Sequence, residues 1–369
     1  MEATDIYDLI VCGGGPAGAA AAISVACADS RLRVLLIEAG SFPRHKVCGE
    51  FFSPEAAEIL QSLLGTDDDN GARLLNQSIR ISRIGLHAAS HGASFALPRS
   101  AFSITRHDLD DGLWRRAQQL GVECLDRTRV LSISRSECGF TVASSGGGFQ
   151  AQCVINATGR WSEINNSSDG RTNLIGIKAH FETDGALAPE PSCDLHFFPG
   201  GYIGIQPISP CAINASALVD AAKYRDMPAV LQAAGLGLVA RAWKPLFPPI
   251  TCPPVRFAAP LPVDPISGVL NCGDAAAFID PFAGDGMSLA LHSGVLAGAH
   301  AVRILAGASI SEIAARYDRA YRRRFAHTFR SAARMRRFAF APEWMQSLAI
   351  AALRVPYVSQ AALKSTRAA

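Results

Sequence analysis

Residues 8–18 of the chain read Asp8-Leu9-Ile10-Val11-Cys12-Gly13-Gly14-Gly15-Pro16-Ala17-Gly18. The apolar run at residues 9–11 predicts a buried parallel strand, the glycines predict a tight turn, and residues 17–28 predict a helix. Gly13 allows the turn, Gly15 lets the backbone approach a pyrophosphate, and Gly18 lets the helix pack on the strand. The helix N-terminus would then offer unpaired N–H groups and a positive dipole end to phosphates.

A second apolar strand follows this helix and ends in an acidic residue. The strand spans Val34 to Ile37, and Glu38 stands about 20 residues past the last glycine, where a carboxylate binds the hydroxyl pair of a ribose. A glycine-rich turn of some other α/β unit is the alternative. Because strand, helix, second strand and acid stand in register, the stretch predicts a dinucleotide-binding site.

Composition and length limit the class of protein. The chain has 369 residues, 49% of them hydrophobic, which suits two lobes with a large core and an apolar ligand cavity. A net charge of +3 is too small to indicate nucleic acid as a partner. No run approaches the ~18 apolar residues of a membrane span, and the acidic first residues are unlike a signal peptide. The expected location is cytoplasmic.

The ten cysteines stand singly, without C-x-x-C or metal-type spacing. Cys12, Cys153 and Cys272 lie inside apolar, strand-like runs. We therefore expect reduced, buried thiols rather than a disulfide framework or a metal site.

Arginines crowd one C-terminal segment. They are Arg316, Arg319, Arg322, Arg323, Arg324, Arg330, Arg334, Arg336 and Arg337. A solvated helix face is the simplest interpretation. The alternative is an anionic partner, namely an acidic carrier protein, a thioester cofactor or a membrane surface that this basic helix contacts peripherally.

The remaining pattern alternates helices with short strands. Helices are predicted over residues 54–64, 105–120, 226–243 and 286–305, with a polar loop at 66–71. Short strands are predicted within residues 79–104, 129–143, 152–156 and 176–219. We expect a discontinuous nucleotide-binding domain of residues 1–75, 102–162 and 262–325. The other expected units are a β-rich substrate domain of residues 76–101 and 163–261, and a C-terminal helical segment of residues 326–369.

Further motifs extend the nucleotide site. Two of them, near the helix predicted at residues 286–305, read Asn271-Cys272-Gly273-Asp274 and Asp280-Pro281-Phe282-Ala283-Gly284-Asp285-Gly286. Two others read Thr105-Arg106-His107-Asp108-Leu109 and Ala157-Thr158-Gly159-Arg160-Trp161-Ser162. Asp274 alone would most often be an ordinary helix N-cap. Followed by P-x-x-G-x-G, it favours a ligand contact.

Together these motifs resemble those of FAD-dependent oxidoreductases of the p-hydroxybenzoate hydroxylase fold, in the branch of geranylgeranyl reductases and relatives of flavin halogenases. The resemblance implies an α/β protein with a Rossmann-like FAD-binding domain of the glutathione-reductase type. A mixed or antiparallel β-sheet substrate domain would interrupt it, and helices would follow. The implied FAD contacts are Gly13, Gly15, Pro16, Ala17, Gly18, Glu38, Ala39, Lys46, Cys48, Gly49, Arg106, Val130, Thr158, Gly159, Gly273, Asp274, Pro281, Gly284, Gly286 and Met287.

Departures from the family patterns bear on the reaction. Aromatic hydroxylases carry Asp-Gly where this chain has Thr158 and Gly159, which weakens the case for direct reduction by NADPH. Residues 201–207 lack both tryptophans of the halogenase pattern, so halogenation is not expected. Geranylgeranyl reductases carry large residues where this chain has Gly204 and Gln206. That change predicts a roomier, partly polar cavity for a ring system, with Tyr202 in the substrate pocket.

One more turn resembles a segment that passes beside the isoalloxazine in the reductase branch, and it reads Lys46-Val47-Cys48-Gly49-Glu50. Cys48 is the candidate catalytic residue, as a polarisable contact or as a proton donor whose pKa Arg44 and Lys46 would lower. A small residue chosen for its fit is the alternative. His180 and His196, on predicted strands, are interpreted as structural histidines rather than as an acid or base.

The sequence therefore predicts an FAD-dependent oxidoreductase acting on a hydrophobic, cyclic or lipid-like small molecule. NADPH or NADH is the expected transient reductant, with a separate reductase as the alternative. Because of Gly204, a monooxygenase or hydroxylase reaction through reduced flavin and oxygen is favoured over a C=C reduction like that of geranylgeranyl reductases. A third hypothesis is a flavoprotein that carries electrons to a partner or quinone, docking through the basic helix and residues 345–362.

Overall fold

A computed structural model of the chain describes residues 6–65, 70–89, 91–136, 139–160, 164, 170, 172–185 and 188–353. Its strands are β1 (Ile6–Cys12), β2 (Val34–Ile37), β3 (Phe51–Phe52), β4 (Ile79–Ala88), β5 (His91–Ser103), β6 (Glu123–Leu125), β7 (Val130–Ser136), β8 (Gly139–Ser144), β9 (Gly147–Asn156), β10 (Leu174–Glu182), β11 (Ser192–Phe198), β12 (Gly201–Ser209), β13 (Ala212–Asp220), β14 (Lys244–Pro245), β15 (Ile250–Thr251) and β16 (Leu270–Asn271). Its α-helices are α1 (Pro16–Ala28), α2 (Pro54–Leu64), α3 (Asn70–Gln77), α4 (Arg106–Gln119), α5 (Met227–Ala233), α6 (Gly286–Leu305), α7 (Ile310–Ala339) and α8 (Glu343–Ala352). The predicted α/β class is confirmed.

The first sheet has the strand order β6-β2-β1-β9-β8-β7, with β16 beside β9. Strands β6, β2, β1, β9 and β16 are parallel, whereas β7, β8 and β9 form antiparallel hairpins. Leu9 and Val11 pack with the helices on one face, and Ile10 packs with Leu35 and Phe140 on the other. The apolar run at residues 9–11 is therefore buried on both sides, as a central parallel strand requires.

Helices α1 and α6 approach each other closely on one face of this sheet. A Cβ on Gly294 would lie 2.1 Å from the carbonyl oxygen of Ala17, and one on Gly298 would lie 2.9 Å from that of Ala21. By length and composition alone, α6 is also apolar enough to cross a membrane. Its Leu291 side chain is fully buried, and the face of α6 that holds it belongs to the core.

The second sheet has the order β14-β10-β13-β12-β11-β4-β5-β3, with β15 beside β10. Its paired strands are antiparallel except for β4 and β11, which run parallel. One face packs on α5, where Met227 joins Ile177 and Ile203 in a buried cluster. On the other face, Tyr202 shares a cluster with Ile350 of α8. The second face therefore lies towards the C-terminal helices.

Most predicted helix limits are confirmed, and two need correction. Helices α2 and α6 span the predicted residues, and Ser53 Oγ caps α2 by accepting a hydrogen bond from Ala56 N. The single helix predicted over 226–243 is wrong, because α5 ends at Ala233 and Gly235 follows with φ of 76°. In the second half of the predicted helix, only residues 239–242 are helical, and they form a short 3-10 helix. Helix α3 begins inside the predicted loop at 66–71.

The chain crosses between the sheets more than once before residue 105. Strand β3 lies in the segment expected to belong to the nucleotide-binding domain, yet it pairs with β5 at the edge of the second sheet. From the end of β5 at Ser103 the chain returns to the first sheet through α4. The domain boundaries given above stay a prediction.

The cysteines of the described residues are free thiols, as expected. Burial raises the pKa of Cys12, Cys153 and Cys272 to about 12 each. Cys138 lies outside the described residues.

Candidate functional site

A cavity of about 1160 Å³ runs between the two sheets, from the glycine-rich turn to α7 and α8. It exceeds the ~300–1000 Å³ of ordinary ligand sites, so it has room for a dinucleotide and a second molecule. Every residue that the resemblance implies as an FAD contact lines this cavity except Gly18. Gly18 lies behind the wall, where an added Cβ would stand 1.8 Å from the carbonyl oxygen of Gly13. Direct FAD contact by each residue stays a prediction.

The glycine-rich turn brings bare backbone to the cavity. Gly13 has φ of 107°, and a Cβ there would lie 2.2 Å from the carbonyl oxygen of Ala157. Helix α1 begins at Pro16, and no side chain caps its N-terminus. Gly15 lines the cavity at this point. An uncapped helix N-terminus beside an open turn fits a diphosphate.

Glu38 faces the same end of the cavity. Its carboxylate accepts hydrogen bonds from Gly14 N and Gly40 N, each at 2.9 Å, and forms an ion pair with Arg44 at 2.8 Å. Burial opposes ionisation of Glu38. The charges of Lys46 and Arg44 and the two N–H donors outweigh burial and hold the pKa of Glu38 below its ordinary value. An ionised carboxylate therefore stands where a ribose hydroxyl pair would bind.

Among the cationic side chains that line this end of the cavity are Arg44, Lys46 and Arg106. Asp110 holds the Arg106 guanidinium, accepting from Nε and from Nη2 at 2.7 Å. Burial, followed by the charges of Arg106 and Arg44, lowers the pKa of Lys46. An anionic diphosphate among these cations would relieve that repulsion, so the cluster fits the phosphates of FAD.

The N-terminus of α6 reaches the cavity from another side. No side chain caps this helix, and Gly286 of its first turn lines the wall. Gly284 has φ of 69°, and a Cβ there would lie 2.9 Å from the Phe51 ring. Asp274 lines the wall beside Arg160, at 3.5 Å. The positive end of the helix dipole fits the negative charge that a reduced flavin carries.

The turn after β9 is tied to the neighbouring strand. Asn156 Oδ1 accepts from Thr158 N at 3.2 Å and from Thr158 Oγ1 at 2.6 Å, and Asn156 Nδ2 donates to Asn271 Oδ1 at 2.9 Å. These bonds hold Thr158 and Gly159 at the cavity wall. The rest of this motif, residues 161–162, lies outside the described residues.

A buried charged cluster joins the end of the turn at residues 46–50 to strand β10. We call it the Glu50 cluster and define it as Glu50, Lys178 and His180. Glu50 Oε1 accepts from Lys178 Nζ and from Arg106 N at 2.8 Å, and Oε2 pairs with His180 Nε2 at 2.7 Å. Burial opposes ionisation of Glu50. The hydrogen bond from His180 and the charge of Lys178 outweigh it and hold the pKa of Glu50 below its ordinary value.

His180 has the buried hydrogen-bond partner that a structural histidine requires, and its structural role stays a prediction. Glu50 and Lys178 were not predicted as members of this site. One signal was available, because Lys178 and His180 stand two apart in an apolar strand and therefore share a face. Two polar side chains on a buried face need a partner. That partner, Glu50, is 128 residues away from Lys178 along the chain, and no local pattern connects them.

Cys48 lies in the cavity wall at the centre of this turn. Its Sγ accepts from Glu50 N at 3.3 Å, and Asn214 Nδ2 donates to the carbonyl oxygens of Cys48 and Gly49 at 3.2 and 2.8 Å. Burial raises the pKa of Cys48, although the charge of Arg106 opposes the rise. The expected lowering of the pKa of Cys48 is therefore wrong, and Sγ keeps its proton at neutral pH.

Beyond this turn the cavity continues as an apolar arm, which we define as Ile84, Leu86, Phe95, Leu97, Leu195, Tyr202, Gly204, Leu218, Phe282, Phe338 and Leu353. The hydroxyl of Tyr202 donates to Asp280 Oδ1 at 3.3 Å, and burial together with that carboxylate raises the pKa of Tyr202 well above its ordinary value. A Cβ on Gly204 would stand 3.2 Å from Leu195 Cδ2. Gly204 therefore leaves the arm open at this point.

The expected polar contribution of Gln206 to the wall needs correction. Gln206 is buried, its Nε2 donates to Ser103 Oγ at 2.7 Å, and it does not line the cavity. The polar residue nearest to Gly204 in the wall is Ser216, its neighbour on β13.

His196 lies outside the cavity wall. Its ring stacks on His87 with centroids 4.4 Å apart, and His87 Nε2 is 3.1 Å from Asp194 Oδ1. Burial, followed by the neighbouring His87, lowers the pKa of His196 to about 4.

No group of His, Cys, Asp or Glu side chains among the described residues could hold a metal ion.

Comparison with known proteins agrees with this geometry. Residues 47–180 match the family model described as FAD dependent oxidoreductase. The menaquinone reductase of Mycolicibacterium smegmatis is 25% identical, covering 94% of this chain and 88% of that protein. The digeranylgeranylglycerophospholipid reductase 1 of Methanococcoides burtonii is also 25% identical, covering 87% of this chain and 81% of that protein.

Solved structures share the whole fold. A geranylgeranyl bacteriochlorophyll reductase-like protein from Thermoplasma acidophilum matches with a TM-score of 0.79 at 18% identity, over 98% of this chain and 97% of that one. A flavin-dependent brominase matches with a TM-score of 0.73 at 18% identity, over 98% of this chain and 93% of that one. Residues 47–180 therefore match an FAD-dependent oxidoreductase domain, and the chain shares its fold with a geranylgeranyl reductase-like protein and a flavin-dependent brominase.

Proposed function

We propose that this oxidoreductase is a reductase that adds hydrogen across a C=C bond of a long apolar substrate of the prenyl-lipid or prenylquinone class. The observation that carries the proposal is the apolar arm, which continues from the turn at residues 46–50 to the C-terminal helices. A long hydrocarbon chain would bury its surface along this arm at about 25 cal/mol per Å². The reacting bond would then lie beside Cys48.

Two of the relatives support this substrate class. Their names refer to a quinone and to a glycerophospholipid with geranylgeranyl groups, and both are reductases. These names describe those proteins, and the arm in this chain offers a site of matching chemistry.

Each part of the cavity would have its own task. Reduced FAD, when bound, supplies a hydride, and saturation of a C=C bond also consumes a proton. The cations Arg44, Lys46 and Arg106 would hold the diphosphate, and the Glu50 cluster would fix the turn against the flavin. Cys48 Sγ holds a proton at the junction of the two regions, so it is the candidate donor. The apolar arm would exclude water.

The reductant of the flavin is part of the same proposal. NADPH or NADH would reduce it transiently, and a separate reductase is the alternative because Thr158 replaces the family's aspartate. Anaerobic mixing of the oxidised holoprotein with each nicotinamide would decide this, since bleaching of the flavin absorbance reports direct reduction.

Oxygenation is the second candidate, because Gly204 leaves room for a ring beside Tyr202. One experiment separates the two reactions. The holoprotein is reduced without oxygen, mixed with a menaquinone or a geranylgeranyl lipid, and the product is examined by mass spectrometry. We expect a product in which the isoprenoid chain, and not the quinone ring, has gained two hydrogen atoms, as fragmentation of the product shows. A product formed only with oxygen, and containing an oxygen atom from labelled O₂, would overturn reduction in favour of oxygenation.

A further inference from the structure

Helix α8 turns an apolar face to solvent. The side chains of Trp344, Met345 and Leu348 are 67%, 45% and 67% exposed. At about 100° per residue they fall within an arc of about 100° on the helix. Gln346 and Ile350 lie on the opposite side, where Gln346 Nε2 donates to the carbonyl oxygen of Ala339 at 2.8 Å. These contacts fix the rotation of the helix, so the apolar face points outward.

Basic residues are frequent in the helix that precedes this face in the chain. No acidic residue stands between Asp318 and Glu343, whereas the same interval contains Arg319, Arg322, Arg323, Arg324, Arg330, Arg334, Arg336 and Arg337. Arg330, Arg334 and Arg337, in the last part of α7 before the connection to α8, are exposed. Two helices that follow each other in the chain therefore expose cationic side chains on α7 and apolar side chains on α8.

The same two helices close the far end of the cavity. The wall there contains Arg334 and Met335 of α7, Ala349 and Ala352 of α8, and Leu353, which directly follows α8. Ala352 is also exposed to solvent. The cavity thus reaches the surface beside the apolar face of α8.

We infer that the end of α7 and the exposed face of α8 form a docking surface for a bilayer that contains anionic lipid. The apolar side chains would enter the boundary between headgroups and acyl chains, and the arginines would lie among the phosphates. An acidic protein would match the arginines but would leave Trp344 and Leu348 without an apolar partner. Delivery of a lipid substrate from the bilayer into the arm is a further step that rests on the proposed function.

Sedimentation of the holoprotein with vesicles tests the docking surface. One set of vesicles contains phosphatidylcholine alone and the other contains phosphatidylcholine with phosphatidylglycerol. We expect binding to the anionic vesicles. The variant Arg330→Gln/Arg337→Gln should bind them about 30-fold more weakly, since each arginine near the surface contributes on the order of one kilocalorie of attraction. The variant Trp344→Ser/Leu348→Ser should also lose binding.

A matched control keeps the change in charge and moves it elsewhere. Arg31→Gln/Arg127→Gln removes two arginines that are exposed outside α7 and α8. This control should bind anionic vesicles like the unchanged protein. Equal binding by the control and by Arg330→Gln/Arg337→Gln would overturn the docking surface, as would failure of the unchanged protein to bind either vesicle. In that second case the arginines would be left for an acidic protein.

Turnover in detergent separates this inference from the proposed function. The α8 and arginine variants should retain their flavin and reduce a detergent-dispersed substrate at the unchanged rate. If vesicle binding is found but no prenyl substrate is reduced, the proposed reaction fails while the docking surface stands. If reduction is found without vesicle binding, the docking surface fails alone.

Discussion

Glu50 and Lys178 form an ion pair in which neither side chain is exposed to solvent. Glu50 belongs to the turn that lines the cofactor end of the cavity, and Lys178 belongs to β10 of the second sheet. The pair therefore fastens the cofactor-lining turn to the second sheet, directly behind Cys48. The Lys178 Nζ also donates to the carbonyl oxygen of Lys46 at 3.2 Å, which holds the start of the same turn.

Removal of one partner from this pair should destabilise the protein strongly. We expect Lys178→Met to lower the free energy of unfolding by ~3–5 kcal/mol, because it leaves a buried carboxylate without its cation. The double variant Glu50→Gln/Lys178→Met should recover much of that loss, since no uncompensated charge remains. Urea denaturation of Lys178→Met, of Glu50→Gln and of the double variant measures the coupling. A double variant that loses the sum of the two single losses would show that the pair does not act as a unit.

The contrast between the glycine-rich stretch and the Glu50 cluster explains what could be predicted from the sequence. Residues 8–38 form a strand, turn, helix and strand whose contacts are local, so spacing alone predicts both the elements and the placement of Glu38 beside the glycine-rich turn. The ends of α6 were predicted for the same reason. Glu50, Lys178 and His180 meet only when the turn at residues 46–50 packs against β10, and that contact has no period in the sequence. Burial likewise reversed the expected pKa of Cys48, because desolvation depends on packing that the neighbouring cations do not reveal.

The stacked ring of His196 should make the protein less stable in acid. The pKa of His196 is about 4 in the folded protein and about 6.5 in an unfolded chain. Between pH 6.5 and pH 4 the imidazole of His196 is therefore protonated in the unfolded chain but not in the folded protein. The free energy of unfolding consequently falls as the pH drops from about 6.5 to about 4. Since the ring is partly exposed, we expect a loss of about 1–2 kcal/mol.

The variant His196→Phe keeps a ring for stacking and removes the titrating group. Its free energy of unfolding should vary less between pH 7 and pH 4.5 than that of the unchanged protein. The exposed His91 offers a control, because His91→Phe leaves the His196–His87 stack in place. If His196→Phe retains the full acid loss, the assigned cause is wrong.

A side chain at Gly204 should close the apolar arm. In Gly204→Leu the Cβ alone would stand 3.2 Å from Leu195 Cδ2, and the remaining atoms would extend into the cavity. We expect kcat/KM for a prenyl substrate to fall by at least about tenfold, with bound flavin retained. Gly148→Leu is the matched control, because a Cβ on that exposed strand residue meets no atom within 4 Å. Equal activity of the two variants would place the substrate elsewhere.

Cys48 can be tested as a proton donor separately from its role in packing. Cys48→Ala removes the proton at Sγ, and Cys48→Ser restores a protonated group of similar size at the same position. If the thiol donates the proton, turnover of the Ala variant should fall by roughly 10²–10⁴-fold while its flavin stays bound, and the Ser variant should recover part of the rate. Anaerobic rapid mixing of reduced enzyme with substrate, followed by flavin absorbance, measures the rate at which the substrate reoxidises the flavin.

The pH dependence of the same rate gives a second test of Cys48. Because burial raises the pKa of this thiol, the rate should show no loss between pH 6 and pH 8 that depends on Cys48. An Ala variant with unchanged flavin reoxidation by substrate would instead show that Cys48 is present for its fit.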